Sequence, residues 1–285
     1  MGCLNSTGQF EHWFGNIHLS GPCNRACYFC IGQHMMELDK YNNLDKWPLE
    51  GFNEFVEQCN AKNIKEVNLT GSNTDPLLYK HINVLNASLR LEIPWVKIGI
   101  RTNGVVAWKK PGILRLFDKV SFSIPSFDYT IYRKIMGYGQ PPDIAMILER
   151  YRGEKKANIV LSPFSAGNDL NTTIHIFSMR GVTKINLREP YGQPRVGDPF
   201  KSREVPLRYT YGMPTYAIKG AEVTYWDVHH VEVESVNLYA NGNVSLTYPI
   251  TKGYIPGDGG EVKDQSHWKE HKRHNPQWIN HKANG

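Results

Sequence analysis

From residue 14 to residue 191 the chain alternates short apolar runs with segments of helical periodicity, and this pattern narrows the fold more than any other feature. The apolar runs fall at 14–19, 66–69, 96–101, 119–124, 157–161 and 184–187. Helix-period segments lie between them at 49–59, 77–91, 111–117, 144–151 and 173–180. Short, continuously apolar strands are the mark of a parallel sheet covered by helices, and strand–helix alternation with right-handed crossovers builds an α/β layer. Six such strands predict an incomplete barrel, a partial (β/α)6 TIM-type fold. In barrels of this kind the C-terminal strand ends form the working face, so functional side chains are sought there.

The alternation stops near Arg195. Residues 194–206 are rich in Gly, Pro and charge and read as a connection. Three β-like runs follow at 222–228, 231–238 and 244–248, the last two flanking Ala240-Asn241-Gly242-Asn243, a hairpin signal. The expected organisation is a barrel over 1–195, a C-terminal β extension with a hairpin over 196–256 that covers the barrel opening, and a tail over 257–285. His229 and His230 lie between two of the runs and read as a solvated turn. The tail interleaves Lys263, Lys269, Lys272 and Arg273 with Trp268, Trp278 and several histidines. Basic residues among aromatics suit phosphate contact with base stacking; a docked or solvated polar tail has the same composition. The net charge of +6 agrees in sign with the first reading.

The first strand runs into Ser20-Gly-Pro-Cys23-Asn-Arg-Ala-Cys27-Tyr-Phe-Cys30, a C-x3-C-x2-C triplet in one short loop. Clustered thiolates select zinc, copper(I) or iron–sulfur centres. A structural zinc site needs a fourth ligand, and His34 is near enough in sequence, but no second C-x2-C knuckle is present. Three cysteines cannot all pair as disulfides, and a chain of 285 residues can bury a core without staples. An iron–sulfur cube normally takes four cysteines; held by three, it keeps one iron open, as a catalytic centre requires. Only Cys3 and Cys59 lie outside the triplet, which leaves none for a second cluster and fits a reducing, cytoplasmic setting. Apolar and charged fractions of 40% and 21% are those of an ordinary globular chain, with no apolar run of membrane-spanning length. Met1-Gly2-Cys3-Leu4-Asn5-Ser6 formally matches a lipidation signal, a short pattern that arises readily by chance.

The triplet, placed just after a first strand and with the aromatic Phe29 before its last cysteine, resembles the radical S-adenosylmethionine (SAM) superfamily. The resemblance implies a 4Fe–4S cluster on Cys23, Cys27 and Cys30, its fourth iron chelated by SAM. One-electron reduction by an external donor of flavodoxin or ferredoxin type then yields a 5′-deoxyadenosyl radical. The protein's part is position and exclusion of water. Further segments carry the likeness. The second strand ends in Gly71-Ser72-Asn73-Thr74-Asp75-Pro76, similar to the family's Gly-Gly-Glu-Pro stretch with residues added; Asp75 also suits a helix start. The third ends in Thr102-Asn103-Gly104, which the family places beside the cluster and which equally suits a sharp turn. On the fourth, alternation puts Ser121 and Ser123 on the face opposite Val120 and Phe122, where the family's hydroxyls meet SAM or where they simply satisfy backbone groups. Asn168, after the fifth strand, is an adenine-side candidate by the same likeness.

The sixth strand ends in Arg188-Glu189. A charged pair at a barrel rim is costly unless it is paired or serves a ligand. It reads either as an ion-pair network closing the rim or as Arg188 gripping a carboxylate or phosphate, and these two are the candidate catalytic residues. Family members with a C-terminal hairpin often carry cluster cysteines on it; here Thr247 and Tyr248 stand about there, so the hairpin is expected to meet substrate without metal. The expected function is radical SAM chemistry on a nucleobase, in a nucleotide or nucleic acid, with no membrane partner. A peptide or small metabolite is the second substrate reading, and a non-catalytic iron–sulfur or zinc module is the reading from another class.

Overall fold

Strand β1, Phe14–Leu19, sets the two faces of the sheet. Gly15, Ile17 and Leu19 point toward the helices: a Cβ on Gly15 would lie 2.9 Å from both Phe55 Cζ and Val67 Cγ2. Asn16 and His18 therefore occupy the opposite, inner face. The same alternation continues through β2 (Glu66–Gly71), β3 (Lys97–Thr102), β4 (Lys119–Phe122), β5 (Glu154–Val160) and β6 (Lys184–Arg188). Val67, Leu69, Ile98, Ile100, Val120 and Phe122 are wholly buried on the helical side. The computed structural model describes residues 13–34, 41–165, 167–190, 194–210, 212–227 and 234–247.

Six helices accompany these strands: α1 (Phe52–Ala61), α2 (Ile82–Glu92), α3 (Val105–Lys109), α4 (Tyr129–Met136), α5 (Ile144–Glu149) and α6 (Asn168–Met179). Strands β1 to β6 pair in sequence order and in parallel. Five later strands extend the same sheet: β7 (Arg208–Thr210), β8 (Met213–Ile218), β9 (Ala221–Trp226), β10 (Glu234–Leu238) and β11 (Val244–Thr247). The order is β11-β10-β1-β2-β3-β4-β5-β6-β9-β8-β7, an open sheet whose two ends do not pair among the described residues. This is the partial TIM-type α/β fold. Segments after residue 195 join both edges: β10 runs parallel to β1, and β9 runs parallel to β6. The β10–β11 hairpin turns at Gly242, whose φ of 84° needs glycine.

Several elements differ from the expectation. Helices α3 and α4 and strands β7 and β8 are not among the expected elements, and residues Pro111–Leu116 form a 3-10 turn rather than an α-helix. Strand β5 begins at Glu154, three residues earlier than its apolar run, because Lys156 and Asn158 belong to a polar inner face. Helix α4 has a legible start: Asp128 Oδ1 accepts from Ile131 N at 2.9 Å. The lipidation-like N-terminus, His229, His230, Tyr248 and the tail over 257–285 lie outside the described residues. Among the described residues no helix is long and apolar enough to cross a membrane.

The contact at Gly15 makes a direct prediction. Gly15→Val should wedge its methyls against Phe55 and lower unfolding free energy in urea by about 1–3 kcal/mol; an unchanged midpoint would mean that α1 does not pack as described.

Candidate functional site

The backbone of the loop after β1 is held from three sides. Asn73, beyond β2, accepts from Ser20 Oγ and from Gly21 N through Oδ1, each at 2.9 Å. Thr74 Oγ1 donates to Pro22 O at 2.7 Å, and Ser72 N donates to Leu19 O at 2.8 Å. From the end of β3, Asn103 Nδ2 donates to Asn24 Oδ1 at 2.7 Å. Helix α4 holds the loop's far side, with Ala26 N donating to Met136 O at 2.9 Å and Tyr28 N to Ile135 O at 3.2 Å. These carbonyls belong to the last turn of a helix, where no intrahelical donor reaches them. Gly137 must be glycine there, with φ of 85° and a hypothetical Cβ only 2.6 Å from Ala26 O.

Arg25, between the first two cysteines, is the buried pin. Its Nε donates to Tyr132 Oη at 2.9 Å, Nη1 to Asn24 O at 2.6 Å and Nη2 to Gln140 O at 3.2 Å. Its guanidinium also faces the Tyr132 and Tyr138 rings at 5.6 and 5.7 Å. Burial pushes both phenols up to about 12, so they stay protonated at neutral pH.

Cys23, Cys27 and Cys30 are half-buried, with Cys27 Sγ 3.4 Å from Met136 Sδ. Cys59 contrasts with them: it is fully buried on α1, and burial pushes its thiol up to about 12, leaving it inert. Among the described residues no three His, Cys, Asp or Glu side chains converge as a single metal ion requires. A four-iron cube spreads its corners, one to each thiolate, so wider spacing suits it. His34 ends the short 3-10 turn Ile31–His34, and the placement of its side chain lies outside the described set.

The β2 end folds tightly around this loop. A Cβ on Gly71 would overlap the Thr74 carbonyl, and one on Gly32 would overlap Asn73 and Ser72. Asp75 is buried and fully engaged: Thr102 Oγ1 donates to both carboxylate oxygens, Asn103 N donates to Oδ2 at 2.7 Å, and Leu77 N to Oδ1 at 3.0 Å. Burial pushes the Asp75 carboxyl up, and these donors and the Arg25 charge oppose that shift. Ser72 Oγ, by contrast, is buried with no hydrogen-bond partner among the described residues. A buried hydroxyl beside a thiol triplet, unsatisfied by protein, fits a bound cofactor that supplies the partner. The donor set thus fits both groups: three soft thiols on a fixed loop for a cluster, and the unsatisfied Ser72 hydroxyl near them for SAM.

The remaining predicted residues divide. Ser121 Oγ accepts from Asn158 Nδ2 at 2.6 Å, which fixes it on the inner face, and Ser123 N donates to Thr102 O at 2.8 Å. Phe29 stands edge-on to Tyr28, and Tyr28 edge-on to Phe164. Asn168 is exposed at the first residue of α6. Arg188 and Glu189 part company. Arg188 lies on the inner face over the Trp226 ring at 5.8 Å. The Glu189 carboxylate is buried and accepts from Val196 N, Gly197 N and Tyr225 Oη at 2.6–2.8 Å. Sequence reasoning missed Arg25, Asn24, Tyr132 and Tyr138. A lone arginine inside a cysteine loop was the available signal for the first.

The family model for the radical SAM superfamily matches residues 17–175. No curated protein matches the sequence. Among solved structures, Streptococcus suis SuiB superposes with a TM-score of 0.55 at 10% identity, over 85% of this chain and 61% of that one. SuiB bound to its precursor peptide SuiA gives 0.50 at 14% identity, over 64% of this chain and 40% of SuiB. At such identity the likeness is one of fold, and the chain spans less than two thirds of SuiB's length. The family match covers more than half of the sequence and contains the cysteine loop, and the chain belongs to the radical SAM superfamily, enzymes that use a 4Fe–4S cluster and SAM.

Proposed function

We propose that this protein reductively cleaves SAM at a 4Fe–4S cluster on Cys23, Cys27 and Cys30 and abstracts hydrogen from a substrate lying over the inner face of the sheet. The observation that carries the reading is a loop pinned on three sides that brings three half-buried thiols together, beside an unsatisfied buried hydroxyl. When bound, the cluster and SAM supply a one-electron cleavage and a carbon-centred radical. The chain supplies geometry. Asn73, Thr74 and Asn103 hold the backbone around Cys23, and the α4 carbonyls hold it around Cys27, so the thiols meet the metal without reorganising.

In this reading Gly71, Ser72, Asn73 and Thr74 line the SAM side with Thr102, Asn103, Ser121 and Ser123, and Phe29 and Asn168 flank it. Asp75 acts through Thr102 and Asn103 as a positioning residue, since its oxygens are already occupied. Arg188 faces the substrate, and Glu189 holds the 196–197 backbone behind it. Tyr28, Phe29 and Phe164 form an aromatic edge that limits water. The electron comes from an external donor of flavodoxin or ferredoxin type.

A nucleobase, in a nucleotide or nucleic acid, is the substrate reading, supported by the basic, aromatic composition of residues 257–285. A peptide is the second reading, favoured by the fold likeness to SuiB, which has been seen with its precursor peptide.

Anaerobic reconstitution with iron and sulfide, then dithionite and SAM, should yield 5′-deoxyadenosine from the native chain and none from a Cys23→Ala/Cys27→Ala/Cys30→Ala variant. Absence of the product from a reconstituted, brown native protein would end the catalytic reading and favour a non-catalytic cluster module. Ser72→Ala gives a finer check. It removes a hydroxyl that makes no protein hydrogen bond, so thermal stability without SAM should hold or rise. Its SAM dissociation constant should rise about 3- to 10-fold; unchanged affinity would remove Ser72 from the site.

A further inference from the structure

The inner face of the sheet carries an excess of positive charge that cluster chemistry leaves unexplained. Arg101 on β3 lies opposite Ser121, Ser121 opposite Lys156 on β5, and Lys156 opposite Lys184 on β6. Arg188 stands further along β6 on the same face, its guanidinium against Trp226. Arg101, Lys119 and Arg188 all act electrostatically on Lys156. Among the described residues, the carboxylates near this row pair with other lysines: Glu66, which also acts on Lys156, pairs with Lys119 at 2.9 Å and accepts from Asn68, and Glu154 pairs with Lys184 at 3.5 Å. His18, another titratable group beside Arg101, is held down to about 4 by burial and stays neutral.

Lys156 itself has neither hydrogen bond nor ion pair among the described residues. Burial, and then its cationic neighbours, hold its ammonium down to about 7. Two residues along the same face, Asn158 spends Nδ2 on Ser121 while its Oδ1 is buried without a partner. A cation with no direct partner next to an acceptor left unsatisfied, among the described residues, is an arrangement completed by a ligand of opposite character.

We propose that this face is a binding site for the anionic group of a small organic substrate, a carboxylate or phosphate held by Lys156 with Arg101 and Arg188, while a hydroxyl or amide N–H of the same molecule donates to Asn158 Oδ1. The site deepens the radical SAM reading by naming the substrate class, and it rests on that reading only for the word substrate. Anion binding itself needs neither cluster nor SAM.

Calorimetric titration of the full chain, without SAM, would test it with two anions and their neutral counterparts: succinate against succinamide, and ribose 5-phosphate against ribose. One or both anions should bind saturably and the neutral molecules should not; which anion binds separates carboxylate from phosphate. Lys156→Met should keep the circular dichroism of the native chain and weaken the anion at least tenfold, whereas Lys156→Arg and the exposed Lys80→Met should retain it. Succinate affinity of the native chain should fall between about pH 6 and 8, as the free Lys156 ammonium loses its proton, and Lys156→Arg should abolish that fall. The triple Cys→Ala variant should bind the anion as the native chain does, so a failed cluster and a failed anion site are told apart. Binding of neither anion, equal binding of the neutral molecules, or native affinity in Lys156→Met would overturn the proposal.

Discussion

Burying the Asp75 carboxylate beneath the ends of β2 and β3 carries a desolvation cost, and hydrogen bonds from Thr102, Asn103 and Leu77 at 2.7–3.1 Å offset it. The cysteine loop depends on that exchange. With its backbone held by Asp75, Asn103 can reach Asn24 with its amide, one residue from Cys23. The turn that carries Asp75 also presents Asn73 and Thr74 to Gly21 and Pro22. A carboxylate that touches no cysteine thus sets the position of the first of them. Helix α4 does the same for Cys27 through the carbonyls of its last turn.

The two faces of the sheet divide the remaining labour. Toward the helices the strands are apolar and wholly buried, and this layer provides the stability. Toward the inside they carry Asn16, His18, Asn68, Ser121, Lys156, Asn158 and Arg188, satisfied in part by one another. A polar inner face is poor core material and good binding surface. It separates the rigid layer that fixes the cysteine loop from the chemistry carried above it.

Much of this was legible in the residues. The triplet gave the metal chemistry, the apolar runs located β1 to β6, and Asn241-Gly242 marked the hairpin turn. Strand β5 extends beyond its apolar run: Glu154, Lys155 and Lys156 look like loop until the inner face is known to be polar. Helix α4 carries its own signals, an Asp128 cap and a buried stripe of Tyr132, Ile135 and Met136, which lie outside the strand–helix alternation. The parallel pairing of β9 with β6 and of β10 with β1 depends on contacts between segments distant in sequence, which local patterns do not encode. Arg188 and Glu189 read as a pair, yet Arg188 ends β6 on the inner face while Glu189, just beyond the strand, is buried against Val196, Gly197 and Tyr225.

In the proposed site three cysteines hold the cluster and leave its fourth iron open to SAM. Mössbauer spectroscopy of the anaerobically reconstituted, iron-57-labelled protein tests it most directly. The expected result is a 4Fe–4S signal in which SAM shifts one iron of the four and leaves the other three unchanged. A cluster indifferent to SAM, or a protein that takes up zinc in place of iron and sulfide, would contradict it.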